Sequence, residues 1–272
     1  LTLCVIFGGI HRIANVSSAV VPVMAVVYLL LAVFIIVTHI SILPRVLVMI
    51  VENAFGVGQI AGGTLGTIVM MGIKRGLFSN EAGEGSAPNA AATATVSHPV
   101  KQGLIQALGV FTDTLVVCSC TAFVILCSGI DYTASNGIQL TQNALTEEIG
   151  SLGNPFIAVM IWLFAFSTII ANCYYGETNL LYFCKKKSVL YAYRILAGGF
   201  VLMGALISLD LAWSMIDLCM AFITICNLIA IILLFPRVRF LVNDYVRQKR
   251  EGRDPTFSKE MMPDIASDLE AW

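Results

Sequence analysis

Few residues in this chain are able to do chemistry, and most of those sit where a membrane helix should not tolerate them. Glu81 and Glu84 lie in the stretch Gly72-Ile73-Lys74-Arg75-Gly76-Leu77-Phe78-Ser79-Asn80-Glu81-Ala82-Gly83-Glu84-Gly85-Ser86-Ala87-Pro88-Asn89. An acid pair three residues apart suits acid-base work, yet no nucleophile or histidine accompanies it, so an enzyme is not indicated. Gly83-Glu84-Gly85 lacks a third glycine at phosphate-cradle spacing and no Gly-Lys-Ser/Thr occurs, which excludes a nucleotide loop. Further on, Ser167, Thr168, Asn172 and Tyr175 bring polar groups into an apolar segment, with 168, 172 and 175 on one helical face. Hydroxyl and amide oxygens are hard donors suited to a dehydrated alkali cation or an amino-acid headgroup. Interhelical hydrogen bonding is their other use. Asp113, Glu177 and Asp217 are carboxylates inside apolar stretches, where function is the default reading, and Asp113 is the deepest. The eight cysteines lie in or beside apolar stretches without metal spacing and read as packing residues, and His11, His39 and His98 fall near segment ends as interfacial groups.

The elements that must position these groups are membrane helices. Of the 272 residues 58% are hydrophobic and 12% charged, with mean hydropathy +0.85; soluble domains carry roughly 25% charge. Seven basic and seven acidic residues fall between Arg237 and Trp272, which leaves nineteen charges for the first 236 residues. No basic block precedes the C-terminus, which removes the electrostatic footprint of a nucleic-acid binder. A bilayer core needs about 20 apolar residues per helix. Residues 13–38 meet this without one charge, and 100–129, 155–183, 188–208 and 211–235 are further spans. The region 1–236 is thus expected to be transmembrane and 237–272 a cytoplasmic tail. The chain opens inside a hydrophobic run, at Leu1-Thr2-Leu3, and reads as the C-terminal portion of a longer protein.

Loop charges orient the spans. Arg237 to Arg253 carry six basic residues against two acidic, which places this end on the cytoplasmic side, with Lys185-Lys186-Lys187 on the same side. The loop 130–154 holds Asp131, Glu147 and Glu148 without Lys or Arg and fits outside. The span 13–38 runs outward and the chain is inside again near residue 100, so residues 40–97 must cross an odd number of times. One broken crossing over 57–96 satisfies this. Glycine costs about 1 kcal/mol and proline about 3 kcal/mol in a helix interior, so the helix is expected to open across 72–89 and free backbone groups that must line a cavity or bind something. Secondary transporters hold substrates with such interrupted helices. A plain cytoplasmic loop over 74–88 is the competing reading. Upstream, Gly58, Gly62 and Gly66 form a small-residue face for close helix contact.

The run Gly72 to Gly83 followed by Gly85-Ser86-Ala87-Pro88 resembles the signature region of the alanine or glycine:cation symporter family. Val21-Pro22-Val23-Met24-Ala25, Tyr28, His98-Pro99-Val100, Phe111-Thr112-Asp113-Thr114 and Tyr174-Tyr175-Gly176-Glu177 extend the resemblance over most of residues 8–235. The resemblance implies an all-α, LeuT-like inverted-repeat transporter of five plus five helices. This chain would hold the last helix of the first repeat and the whole second repeat, and would need the N-terminal helices of the same protein to complete the site. It implies symport of a small neutral amino acid with sodium, or a proton, across the inner (plasma) membrane, with no other cofactor. On this analogy Asn80, Glu81, Gly83, Gly85, Ser86, Thr168 and Asn172 line the substrate site, Ser167 and Thr168 ligate the cation, and Asp113 is a candidate coupling carboxylate. The family carries Trp or Asn at the place of Asn172, and Glu84 stands where it has an apolar residue. A channel, a membrane-enzyme subunit and an inactive fragment are the alternatives; filter-like repeats and convergent His, Ser or Cys chemistry are not visible in the sequence.

Overall fold

Apolar runs without charge, punctuated by glycine and proline, fold here into long helices. The computed structural model describes residues 9–55, 64–131, 137–267 and 269, and among them every regular element is helical. In chain order these are α1 (Gly9–Thr38), α2 (Leu43–Phe55), α3 (Thr64–Asn80), α4 (Ala87–Ala91), α5 (Pro99–Thr112), a π-helical turn (Asp113–Cys118), α6 (Ser119–Cys127), α7 (Ile138–Ile149), α8 (Gly153–Phe183), α9 (Lys187–Gly204) and α10 (Leu209–Arg250). Single 3-10 turns cover Gly150–Leu152 and Lys259–Met261. Gly58, Gly62 and the start of the expected 57–96 crossing lie outside the described residues. Among the described residues four stretches are long and apolar enough to cross a membrane: Ser18–Thr38, Pro99–Cys127, Ile138–Phe183 and Leu209–Arg250.

The chain divides into two units, each described by itself. The first holds the residues up to Ser79 and Thr112–Leu209. Its core is built by a stripe on α1, Met24, Tyr28, Ala32 and Ile35, at helical spacing. The stripe meets Cys120 and Val124 of α6, Ala144 and Leu145 of α7, and Ile157 and Met160 of α8. Tyr28 brings a hydroxyl into this apolar cluster and satisfies it on Thr121 Oγ1 at 2.6 Å, while Phe164 meets its ring edge-on at 5.9 Å. The opposite side of α1 shows Val23, Leu30, Phe34 and Val37 outward, a surface that suits lipid.

Helix α7 corrects the expectation of a loop over 130–154. Thr141, Ala144 and Leu145 are buried at i, i+3 and i+4, a helical pattern that three acidic residues and flanking glycines obscured. It packs tightly because Gly153 opens α8: a Cβ there would stand 2.6 Å from the Thr146 nitrogen.

The second unit joins Asn80–Phe111 to Asp210–Trp272. Here α10 runs past the expected end at 235, through Pro236, to Arg250. At 1.5 Å per residue its 42 residues reach roughly 63 Å, about twice a bilayer core, so the charged end projects beyond the membrane. That end anchors the tail. Gln248 exchanges two hydrogen bonds with the Thr256 backbone, at 2.9 and 3.0 Å, and Phe257 N–H donates to Ser97 O at 2.9 Å. Pro255 is fully buried and Met262 buried, so this part of the expected 237–272 tail is docked.

His98 is likewise buried, not interfacial. Val100 N–H donates to its Nδ1 at 3.2 Å, which puts the ring proton on Nε2, 3.4 Å from Asp244 Oδ2. Tyr245 and Phe257 pack edge-on against the imidazole, and Asp244 also receives Arg247 and Gln248. At the rim, Lys101 Nζ donates to Asp254 Oδ1 at 2.7 Å and holds that carboxyl below its ordinary value of 3.8. A depressed folded-state value makes this anchor's contribution complete above 3.8 and lost as pH falls further, through the folded-state value. The protection factor of the Phe257 amide, its exchange relative to the intrinsic rate at each pH, is therefore expected to hold from pH 7 to 5 and to fall below the carboxylate range. Lys101→Gln should abolish the Lys101-dependent part of that acid response.

Candidate functional site

Gly72 and Gly76 do not break the helix. α3 carries both, with open space where each Cβ would stand, and ends at Asn80, so the opening expected across 72–89 narrows to residues 81–86. The turn is made by handedness. Glu81 (φ +54), Gly83 (φ +82) and Gly85 (φ +96) take the left-handed side while Ala82 and Glu84 do not. Glu81 is the one non-glycine residue with positive φ among those described, a conformation costing about 1–3 kcal/mol that is tolerated where surroundings enforce it. The surroundings are visible. Asn80 Oδ1 accepts the Ala82 N–H at 3.0 Å, Ser86 Oγ donates to Glu81 Oε2 at 2.6 Å, and Asn89 Nδ2 donates to the carbonyls of Gly85 and Ser86 at 3.2 and 3.1 Å.

Backbone that alternates in hand turns successive N–H groups toward a common side, which is how peptide concavities bind carboxylates and phosphates. All five expected turn residues, Asn80, Glu81, Gly83, Gly85 and Ser86, thus fall in one hydrogen-bonded structure. Glu84 is buried within it, at 7% exposure. From α10, Asn227 Nδ2 donates to Gly83 O at 2.9 Å. Sequence reading missed Asn227, although it is the only amide in the charge-free run Leu218–Phe235, a usable signal.

The first unit holds the other candidates. Asp113 opens the π-helical turn, and Ser79 Oγ donates to its Oδ2 at 2.7 Å, with Cys118 Sγ 3.8 Å from the same oxygen. A π turn widens the helix, and such turns gather at functional positions. On α8, Ser167 and Thr168 diverge: Ser167 donates to Phe164 O of its own helix at 2.9 Å, while Thr168 and Asn172 share an exposed face opposite buried Ile170, Cys173 and Glu177. Polar groups on the outer face of an apolar helix suit contact with polar neighbours or water, not bare lipid.

Glu177 proves to be an ion-pair partner. Arg194 Nε and Nη2 grip its two carboxylate oxygens at 2.9 and 2.7 Å, both residues buried, between α8 and α9. Beside them Tyr193 donates to Cys173 O at 3.1 Å and lies so close that a Cβ at residue 176 would meet its hydroxyl. Of the cysteines expected to pack, Cys120, Cys127 and Cys173 are buried, whereas Cys118, Cys219 and Cys226 are exposed.

Long apolar helices, together with a strained and hydrogen-bonded glycine turn after α3, are the features of a helical membrane protein. Comparison with known proteins makes this particular: the sodium:alanine symporter family matches residues 1–259, and the chain belongs to it. It is 49% identical over 269 residues to a probable sodium/glutamine symporter, GlnT, of Bacillus subtilis (strain 168), covering 98% of this chain and 56% of that protein. It is 47% identical over 272 residues to the amino-acid carrier protein AlsT of the same organism, covering 100% and 58%. A sodium/proton-dependent alanine carrier protein of Bacillus sp. (strain PS3) is 39% identical over 272 residues, covering 93% and 61%. The chain thus spans a little over half the length of these relatives. The family and these relatives are carriers, not enzymes.

Proposed function

We propose that the protein to which this chain belongs is a secondary symporter that moves a small neutral amino acid, alanine or glycine, into the cell with sodium across the plasma (inner) membrane, its C-terminus cytoplasmic. The observation that carries this reading is the 81–86 turn, where three residues of left-handed backbone and a buried carboxylate interrupt a run of apolar helices. In this reading the turn N–H groups and Ser86 receive the amino-acid carboxylate, and Asn80 and Glu81 hold the turn and the ammonium side. Thr168 and Ser167 supply cation oxygens, Asn172 bounds the side chain, and Asp113 is the coupling carboxylate. The fold is proposed to be LeuT-like, with this chain spanning its second repeat and the last helix of the first. Coupling follows if amino acid and cation together favour one arrangement more than either alone.

The 49% identity to a probable glutamine symporter favours a second reading in which glutamine is the preferred solute. Both are tested by uptake of labelled alanine, glycine and glutamine into proteoliposomes carrying the full-length protein, with and without a sodium gradient. Uptake of at least one solute should require sodium. Thr168→Ala should weaken apparent sodium affinity about tenfold, the loss expected for one bond to a charged group. Uptake unchanged in sodium-free buffer removes sodium from the reading, and unchanged sodium affinity in Thr168→Ala removes that residue.

A further inference from the structure

Asn227 lies in α10 among Leu218–Phe235, a run with no charge and no other amide. An amide in such a setting is costly unless its hydrogen bonds are met. Its Nδ2 donates to the Gly83 carbonyl at 2.9 Å, and this carbonyl belongs to the middle of the alternating-handed turn. The fit is two-sided. A Cβ on Gly85 would stand 3.0 Å from both Cβ and Cγ of Asn227 and 3.2 Å from its Oδ1, so Asn227 occupies the space that the absent side chain leaves free. One residue therefore fixes the turn twice, through a bond to Gly83 and through packing on Gly85.

We propose that Asn227 is a positioning residue for substrate: it holds the 81–86 backbone in its receiving shape. This rests on the reading of that turn as the substrate site. By holding the Gly83 carbonyl, Asn227 fixes the peptide plane between Gly83 and Glu84, whose N–H turns back to Glu81 O at 3.4 Å and closes the turn. Removing the donor frees this plane and loosens the turn away from its receiving shape, so substrate must select that shape from several. The loss appears in affinity, and transport of saturated carrier is spared.

The test uses full-length protein in proteoliposomes under a sodium gradient, with labelled alanine and labelled glutamine. Asn227→Leu keeps volume without the donor, Asn227→Asp keeps shape and replaces the donor with an acceptor, and Asn227→Gln keeps the donor. Expected are KM values raised about tenfold in the first two, the loss of one hydrogen bond, Vmax within about twofold of wild type, and recovery of most of the affinity in Asn227→Gln. Melting temperature in detergent is measured for each, and Asn227→Asp stands in if Asn227→Leu does not fold. Wild-type KM in both donor-less variants, with KM raised in Asn80→Ala and Ser86→Ala, overturns the role of Asn227 and leaves the site reading intact. Wild-type KM in all four overturns both. Vmax and melting temperature falling together at constant KM mark a structural residue and also overturn the proposal.

Discussion

Gly85→Val is expected to reduce uptake by about a hundredfold or more, while Gly72→Ala is expected to leave it unchanged. The two glycines look alike in the sequence, thirteen residues apart in one glycine-rich stretch. At residue 85 φ is +96, where a β-branched side chain costs about 1–3 kcal/mol, and the new Cβ would press on Asn227 at 3.0 Å. The turn has no cheap way to yield, because Gly83, two residues back, is tied to the same asparagine. A loss near 3 kcal/mol in the receiving conformation corresponds to about a hundredfold in apparent affinity. Residue 72 is different: it lies inside α3 with nothing within 4 Å of its Cβ position, so alanine should gain about 1 kcal/mol of helix stability. Sodium-driven uptake of alanine and glutamine, with surface expression measured alongside, checks both. Equal effects of the two substitutions would mean that the interruption is not where the structure puts it.

That contrast also shows what was legible in the sequence. Apolar runs with few charges reported long helices because contact with lipid favours apolar residues, and α1, α5 with α6, and α8 lie within such runs. Glycine and proline reported that a helix must stop between residues 72 and 89, yet composition could not say where. Helix stops depend on which carbonyls and amides find partners, and those partners, Asn80 for Ala82 and Asn227 for Gly83, are matters of geometry. Helix α7 was hidden for a related reason. Its buried face is only Thr141, Ala144 and Leu145, so its signal is short, and its acidic residues point to the loop that the charge pattern suggested. His98 was read as interfacial because polar residues near segment ends usually are, and 237–272 as a tail because of its charge, whereas the burial of His98, Pro255 and Met262 depends on packing partners. Here one imidazole nitrogen accepts from the start of α5 while the other is buried 3.4 Å from Asp244 without making a hydrogen bond, an arrangement no composition announces. On the candidate site, the residue types at 80–86 and 167–172 were readable, but the back-bonding of Ser167 and the partners of Asp113 were not.

Arg194→Ala should be the most destabilising single change in the first unit, by about 3–5 kcal/mol, because it strands a buried carboxylate. Glu177 sits on the inward face of α8 at 9% exposure, and both of its oxygens are occupied by the guanidinium. Without that partner the glutamate must either take a proton or draw water between α8 and α9, and Tyr193, already pressed against Gly176, leaves little room for water. Lysine is no substitute, since one ammonium cannot span two oxygens as the fork does, so Arg194→Lys should recover only part of the loss. The paired change Arg194→Met with Glu177→Gln should be far less harmful than Arg194→Ala, because removing both charges removes the desolvation cost along with the attraction. Melting in detergent would order the variants as wild type, double variant, Arg194→Lys, Arg194→Ala. Uptake measured on the double variant then asks a separate question. Transport at wild-type rate would confine this ion pair to holding α8 and α9 together, whereas a folded double variant that no longer transports would show that the helix carrying Thr168 and Asn172 needs the charge pair to move as well as to stand.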